Sequence, residues 1–181
     1  MYYSTHYKSP VGDILIASDE NNIIGLWIGK QKYIANTMPK NIIEKDNLPI
    51  LQEGISWLDD YFAGNKPQLS KLPIAPIGGE FRQQVWKILT EIPYGELTTY
   101  GSIAKEVAKR MGKEKMSAQA VGGAVGHNPI SIIIPCHRVV GSNGSLTGYA
   151  GGIEKKIKLL KHEGIDMTKF FVPLYPDKPC Q

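Results

Sequence analysis

Apolar and polar positions alternate differently in the two parts of the chain. In "GDILIASDENNIIGLWIG" (12–29) two β-rich runs, Ile14–Ala17 and Ile23–Ile28, flank the polar turn Asp19-Glu20-Asn21-Asn22, which predicts a hairpin. In "PILQEGISWLDDYFAGNKP" (49–67) apolar residues fall at Leu51, Ile55, Leu58 and Phe62, one face of a helix that Gly64 and Pro67 end. "KLPIAPIGG" (71–79) has no period and reads as a linker. Beyond it the spacing predicts a helix over 81–92, with Phe81, Val85, Ile88 and Leu89 on one face and Pro93 as the stop. Thr98 or Thr99 caps a second helix, "YGSIAKEVAKRM". Ser117 caps a third that stops near Asn128, before Pro129. Helices at this spacing form a helix-turn-helix. The polar turn "GSNGS" (141–145) after the strand-like run suits a wing, and a last helix covers 153–162, ending at Gly164.

The third helix is nearly bare of side chains, with Ala118, Ala120, Gly122, Gly123, Ala124 and Gly126. A helical Gly costs about 1 kcal/mol relative to Ala. Either a neighbouring helix packs closely there, or something large must approach the backbone. With Gln119 as its one long polar side chain, it fits a minor groove better than a major one.

Charge sharpens the division. Residues 1–79 carry seven Lys/Arg and eight Asp/Glu, whereas residues 80–181 carry fourteen and nine. Nucleic-acid contact is expected in the second, basic part. The 181 residues are 42% hydrophobic, enough for one domain or two small ones. No aliphatic run is long enough to span a bilayer, and the N-terminus lacks the apolar region of a signal peptide, so a soluble cytoplasmic protein is expected. Two cysteines, Cys136 and Cys180, make no disulfide framework. Cys180 reads as an incidental tail thiol.

Cys136 stands in "IIIPCHRVV" (132–140), where an aliphatic run meets a thiol, an imidazole and a guanidinium. The spacing fits neither a four-ligand zinc site nor a dithiol centre. A lone cysteine is most often simply buried, but adjacent His137 and Arg138 point instead to an activated nucleophile. Neighbours on a regular strand face opposite ways. His137 therefore needs a turn at Pro135-Cys136, or a bridging water, to serve the sulfur. It also needs an orienting carboxylate, which Glu163 in "LLKHEG" supplies.

These residues, with "VWKIL", "IPYGELTTYGSIA", "AVGGAVGHNPISIIIPCHRVVG" and "GYAGG", resemble the O6-alkylguanine-DNA alkyltransferases over about residues 81–165. The resemblance implies an α+β protein. A small ribonuclease-H-like α/β domain (1–76) precedes a mostly helical, winged helix-turn-helix domain (77–181). It implies suicide transfer of an alkyl group from O6-alkylguanine, and from O4-alkylthymine, to Cys136. His137 would be the water-mediated base, Glu163 its orienter, Asn128 the brace of the turn, and Tyr100 the group that crowds the phosphate and protonates the leaving guanine. Carbonyls of Cys136 and Val139 would read the guanine amino group, with Ser131, Tyr149, Ala150 and Gly151 around the alkyl pocket. Ala118, Gln119, Ala120, Gly122 and Ser142 would meet double-stranded DNA in its minor groove. Arg138 suits a structural ion pair, with the interface between the two parts as one place for it.

The family's usual arginine is replaced by Gln119, a serine of some members by Ala150, and the connection "KEVAKRMGKEKMS" is longer than in some relatives. The N-terminal zinc ligands of metal-binding members are absent, so no metal and no cofactor is expected of this monomer. The competing readings are a non-catalytic lesion-binding protein, a DNA-binding alkylation sensor and a cysteine hydrolase with a Cys136-His137-Glu163 triad. The intact "PCHR" and the bare helix favour the transferase.

Overall fold

The structure is a computed structural model that describes residues 1–174; Cys180 lies outside the described residues. The chain is α+β, a four-stranded sheet unit followed by a mostly helical one. Strands β1 (Tyr2–Ser9), β2 (Gly12–Ser18) and β3 (Ile23–Ile28) form an antiparallel meander. The short helix α1 (Ile34–Thr37) leads to β4 (Ile42–Glu44), which pairs parallel to β1, giving the order β3-β2-β1-β4. The predicted hairpin is thus β2–β3. The sequence analysis missed β1, whose "YYSTHYKS" carries no clean apolar alternation.

Every residue of β3 is buried. Helix α2 (Pro49–Phe62) covers one face of the sheet through Ile50, Leu51, Leu58 and Tyr61. Pro49 presets its first turn, and Gly64, at φ 81°, follows its end as expected. On the other face Trp27 packs among Ile24, Ile34, Met38 and Ala75, its Nε1 donating to Thr37 Oγ1 at 3.0 Å. The indole lies over Gly25: a Cβ there would come within 1.9 Å of the ring.

Sheet edge β3 explains how the two units join. Ile23 N donates to Pro73 O and Ala75 N to Ile23 O, so the predicted linker is pinned to the sheet. Further along, Leu26 N donates to Pro129 O at 2.8 Å and Ser131 N to Leu26 O at 2.9 Å. One strand edge therefore receives both the linker and the segment leading into "PCHR". This satisfies polar groups that an open edge would leave unpaired.

Helices α3 (Glu80–Thr90), α4 (Tyr100–Arg110) and α5 (Ala118–Gly126) pack together around Val85, Trp86, Leu89, Ile103, Val107 and Val121. Trp86 Nε1 donates to Ala124 O at 2.8 Å, fixing α5. The caps are Thr99, accepting from Ser102 N, and Ser117, accepting from Ala120 N. Thr98–Thr99 (β5) pairs parallel with Val139–Val140 (β6). The turn after β6 closes through Gly141 N to Ser145 O, and Leu146 N then donates to Phe171 O, so the wing is completed by the chain's tail. Helix α6 (Ile153–His162) ends before Gly164 as expected. Among the described residues no helix is long and apolar enough to cross a membrane.

Candidate active site

The aliphatic run before Cys136 is not a strand. Ile133 N donates to Ser131 O and Ile134 N to Ile130 O, in a chain of turns. Ile132 takes φ 70° though β-branched and 1% exposed. Such a residue costs about 1–3 kcal/mol and persists only where its surroundings dictate it. Pro135 then leads into a single 3-10 turn, Cys136–Arg138. A turn therefore stands where a regular strand would have continued, and it keeps all three side chains buried.

Asn128 braces the bend. Its Oδ1 accepts from Ile130 N at 3.0 Å, while its Nδ2 donates to Ile134 O at 2.8 Å and to Cys136 Sγ at 3.1 Å. Burial pushes the Cys136 thiol up; the Asn128 hydrogen bond and the Lys156 charge oppose this by favouring the thiolate.

Glu163, just past α6, gathers the surrounding groups. Its Oε1 lies 2.5 Å from His137 Nε2 and accepts from Tyr61 Oη at 2.8 Å. Its Oε2 accepts from Arg138 Nε at 2.8 Å and from Gly95 N at 3.1 Å. Arg138 Nη2 adds a bond to Oε1 at 3.0 Å. Burial alone would raise this carboxyl, but the hydrogen bonds of His137 and Arg138, with the Arg138 charge, outweigh it and hold Glu163 ionised. Burial lowers His137, with Glu163 opposing, so the imidazole is neutral near pH 7. A neutral imidazole facing a carboxylate carries its proton on that nitrogen. The proton is therefore on Nε2, and buried Nδ1, which bonds no described residue, is the basic atom. Arg138 pairs within its own unit rather than across the interface. It is Tyr61, from α2, that crosses to the same carboxylate.

The remaining predicted residues divide into buried and exposed ones. Tyr149 is 8% exposed and Ser131 1%, and burial raises the Tyr149 phenol well above its ordinary value. Gly152 N donates to Tyr149 O at 3.0 Å, closing a turn whose Gly151 lies against the Tyr149 ring, where a Cβ would come within 2.8 Å. Tyr100 Oη donates to Thr147 O at 3.0 Å; a Cβ on Gly148, at φ 74°, would sit 2.8 Å from that hydroxyl. Val139 O accepts from Lys156 Nζ at 2.6 Å, and Ala150 O from Lys32 N at 3.0 Å. Gly122 lies beside the Tyr100 ring. Ala118, Gln119 and Ala120 are exposed along the start of α5, and Ser142 is exposed in the turn after β6.

Three contributors escaped the sequence reading. Lys156 looks like one more lysine in "IEKKIKLLKH", yet it is fully buried, its pKa lowered by burial to about 8. Its i+3 and i+4 neighbours Leu159 and Leu160 were the available signal. Gln31 is 5% exposed and accepts from Ser131 Oγ at 2.9 Å. Tyr61 lay on the apolar side of α2 and was passed over. Both Gln31 and Tyr61 act across the interface, so no local pattern marked them.

Comparison with known proteins agrees with this geometry. Residues 1–76 match the model of the ribonuclease-like domain of 6-O-methylguanine DNA methyltransferase, and residues 80–165 match that of its DNA binding domain. The methylated-DNA–protein-cysteine methyltransferase of Haemophilus influenzae is 46% identical over 163 residues, covering 90% of this chain and 87% of the relative. That of Methanosarcina acetivorans is 45% identical over 166 residues, covering 91% and 99%. The crystal structure of Mycobacterium tuberculosis OGT in complex with DNA superposes with a TM-score of 0.76 at 35% identity, covering 93% of this chain and 94% of that one. The chain therefore belongs to the O6-methylguanine-DNA methyltransferase family.

Proposed function

We propose that this protein repairs DNA by moving one alkyl group from O6-alkylguanine, or O4-alkylthymine, to Cys136. The observation that carries the reading is the bond between Glu163 and His137 Nε2, which leaves Nδ1 as the basic nitrogen on the residue next in sequence to the buried Cys136. In this reading the Cys136 proton passes through one water to His137 Nδ1. The thiolate attacks the alkyl carbon in line, an S–C bond forms, and the C–O6 bond breaks. Tyr100 supplies a proton to the departing base, and exchange with solvent restores the phenol from the imidazolium. Cysteine and alkylguanine become S-alkylcysteine and guanine. No group in the site hydrolyses a thioether, so the protein acts once, without cofactor.

The carbonyls of Cys136 and Val139 would accept from the guanine amino group, with Lys156 holding Val139 in place. Ser131, Tyr149, Ala150 and Gly151 would enclose the alkyl group. At 5% exposure, Cys136 requires the base to leave the duplex and enter. The smooth, exposed start of α5, with Ala118, Ala120 and Gly122, suits the minor groove of double-stranded DNA, Ser142 touching the strand nearby. Gln119 would fill the gap left by the flipped nucleotide, more weakly than arginine does. We assign the ribonuclease-H-like domain to 1–76 and the alkyltransferase domain to 77–181, in a monomeric, cytoplasmic protein.

The test is intact mass after mixing with excess duplex carrying one O6-methylguanine, followed by peptide mapping. One methyl at Cys136, with no further turnover, is expected. Tight binding with no change of mass would make this a lesion-recognition protein and remove the roles given to Cys136, His137 and Glu163.

A further inference from the structure

The lengthened connection between α4 and α5 is unused by the alkyl chemistry, yet it builds a concave feature. A groove of about 420 Å³ runs between α4 and residues 113–118. Its floor is apolar, made by Ala104, Ala108 and Met116. Its rim carries Lys105 and Lys109, one turn apart on α4, and Lys113 and Lys115 on the connection. All four lysines are exposed, and none has an ion-pair partner among the described residues. Adjacent Arg110 differs: Glu91 and Glu106 hold it at 2.6 and 2.7 Å, so its charge is already met. One carboxylate, Glu114, lies among the four lysines. At its inner end the groove reaches Gly101 and Ala118, next to Tyr100 and at the start of α5.

We propose that this groove holds the sugar-phosphate backbone of duplex DNA beside the alkylated nucleotide. The proposal rests on the DNA-repair reading above and extends it to a surface that the longer connection creates. In a helix-turn-helix the first helix crosses the nucleic-acid backbone while the second enters a groove. Here the first helix presents two unpaired ammonium groups and the connection two more on the opposite side. A strand lying between them has phosphates against lysines on both rims and deoxyribose over the alanine floor. The match is one of charge and of polarity. Lysine contacts to phosphate carry no sequence information, so the groove adds affinity and register rather than lesion choice.

The experiment measures affinity for a duplex as a function of salt, for the wild type and for Lys113→Ala/Lys115→Ala. Each phosphate contact contributes about 0.9 to the slope of log K against log salt. The expected slope is therefore smaller by about two, with equal weakening on lesion-bearing and undamaged duplexes. Lys105→Gln/Lys109→Gln should act the same way, and Lys71→Ala, exposed on the other unit, should not. Transfer from the free base O6-benzylguanine, which has no phosphate, should keep its wild-type rate in every variant. Unchanged slopes in both double variants would overturn the proposal, as would a changed oligomeric state with the slope intact, which would make the groove an interface between copies. A reduced slope in a protein that transfers no alkyl group would leave the groove standing and remove the repair reading instead.

Discussion

Asn128 shows what one side chain can hold together. It spans the bend with four hydrogen bonds, one of them to the Cys136 sulfur. Asn128→Ala leaves Ile130 N unpaired in a buried place, at a cost of about 1–3 kcal/mol, while Ile134 O keeps only its bond from Cys136 N. It also removes the donor that opposes burial at Cys136. The thiol's pKa should then rise, moving the midpoint of iodoacetamide alkylation against pH upward, with a loss of about 3 kcal/mol in urea unfolding. A destabilised variant with an unmoved alkylation midpoint would limit Asn128 to a structural brace. In the sequence this residue reads equally well as an ordinary helix stop before proline, because its partners lie two, six and eight residues further on around a turn that no local pattern encodes.

At the scale of elements, α5 resolves a choice that its composition left open. A methyl group at Gly123 meets nothing within 4 Å, and one at Gly122 reaches the Tyr100 ring only at 3.9 Å. Close packing against a neighbouring helix therefore does not explain these glycines, and free approach from outside does. Gly123→Ala should raise stability by about 1 kcal/mol through helix propensity alone, read as a higher urea midpoint. Gly122→Leu, beside Tyr100, should weaken duplex binding several-fold. Equal affinity for Gly122→Leu and wild type would mean that DNA does not approach this face. Helices α2 to α6 were legible because period and caps are local properties. β1 and the turns over 130–138 were not, since their residues answer to partners in other strands, β2 and β4 for β1 and the β3 edge for the segment after Pro129.

For the whole molecule, Glu163 is where the two units and His137 meet. Its carboxylate joins Tyr61 of the first unit to Gly95, His137 and Arg138 of the second. A carboxyl held below its ordinary value stabilises the fold above about pH 4.3, and that contribution is lost as pH falls through the lowered value. His137, held neutral by burial, acts in the same direction, its share fading as pH falls below about 6.5. Urea midpoints should therefore drop on acidification in two stages. Glu163→Gln should lose about 3–5 kcal/mol at pH 7, because Arg138 is left buried without its counter-charge, and its lower stage should shrink to what Asp19, Glu91 and Asp166 contribute. Parallel pH curves for the two proteins would rule out this coupling.

The sequence by itself determined the family and the order of the helices, and it singled out Cys136, His137 and Glu163. Those rest on contiguous motifs and on short-range periodicity, which any single stretch carries in full. Only the tertiary structure decided how the site is held. The β3 edge grips Pro129 and Ser131, Tyr61 and Gln31 reach across from the first unit, and Lys156 lies buried against Val139 O. Each of these joins residues distant along the chain, and a buried lysine differs from an exposed one only through what surrounds it.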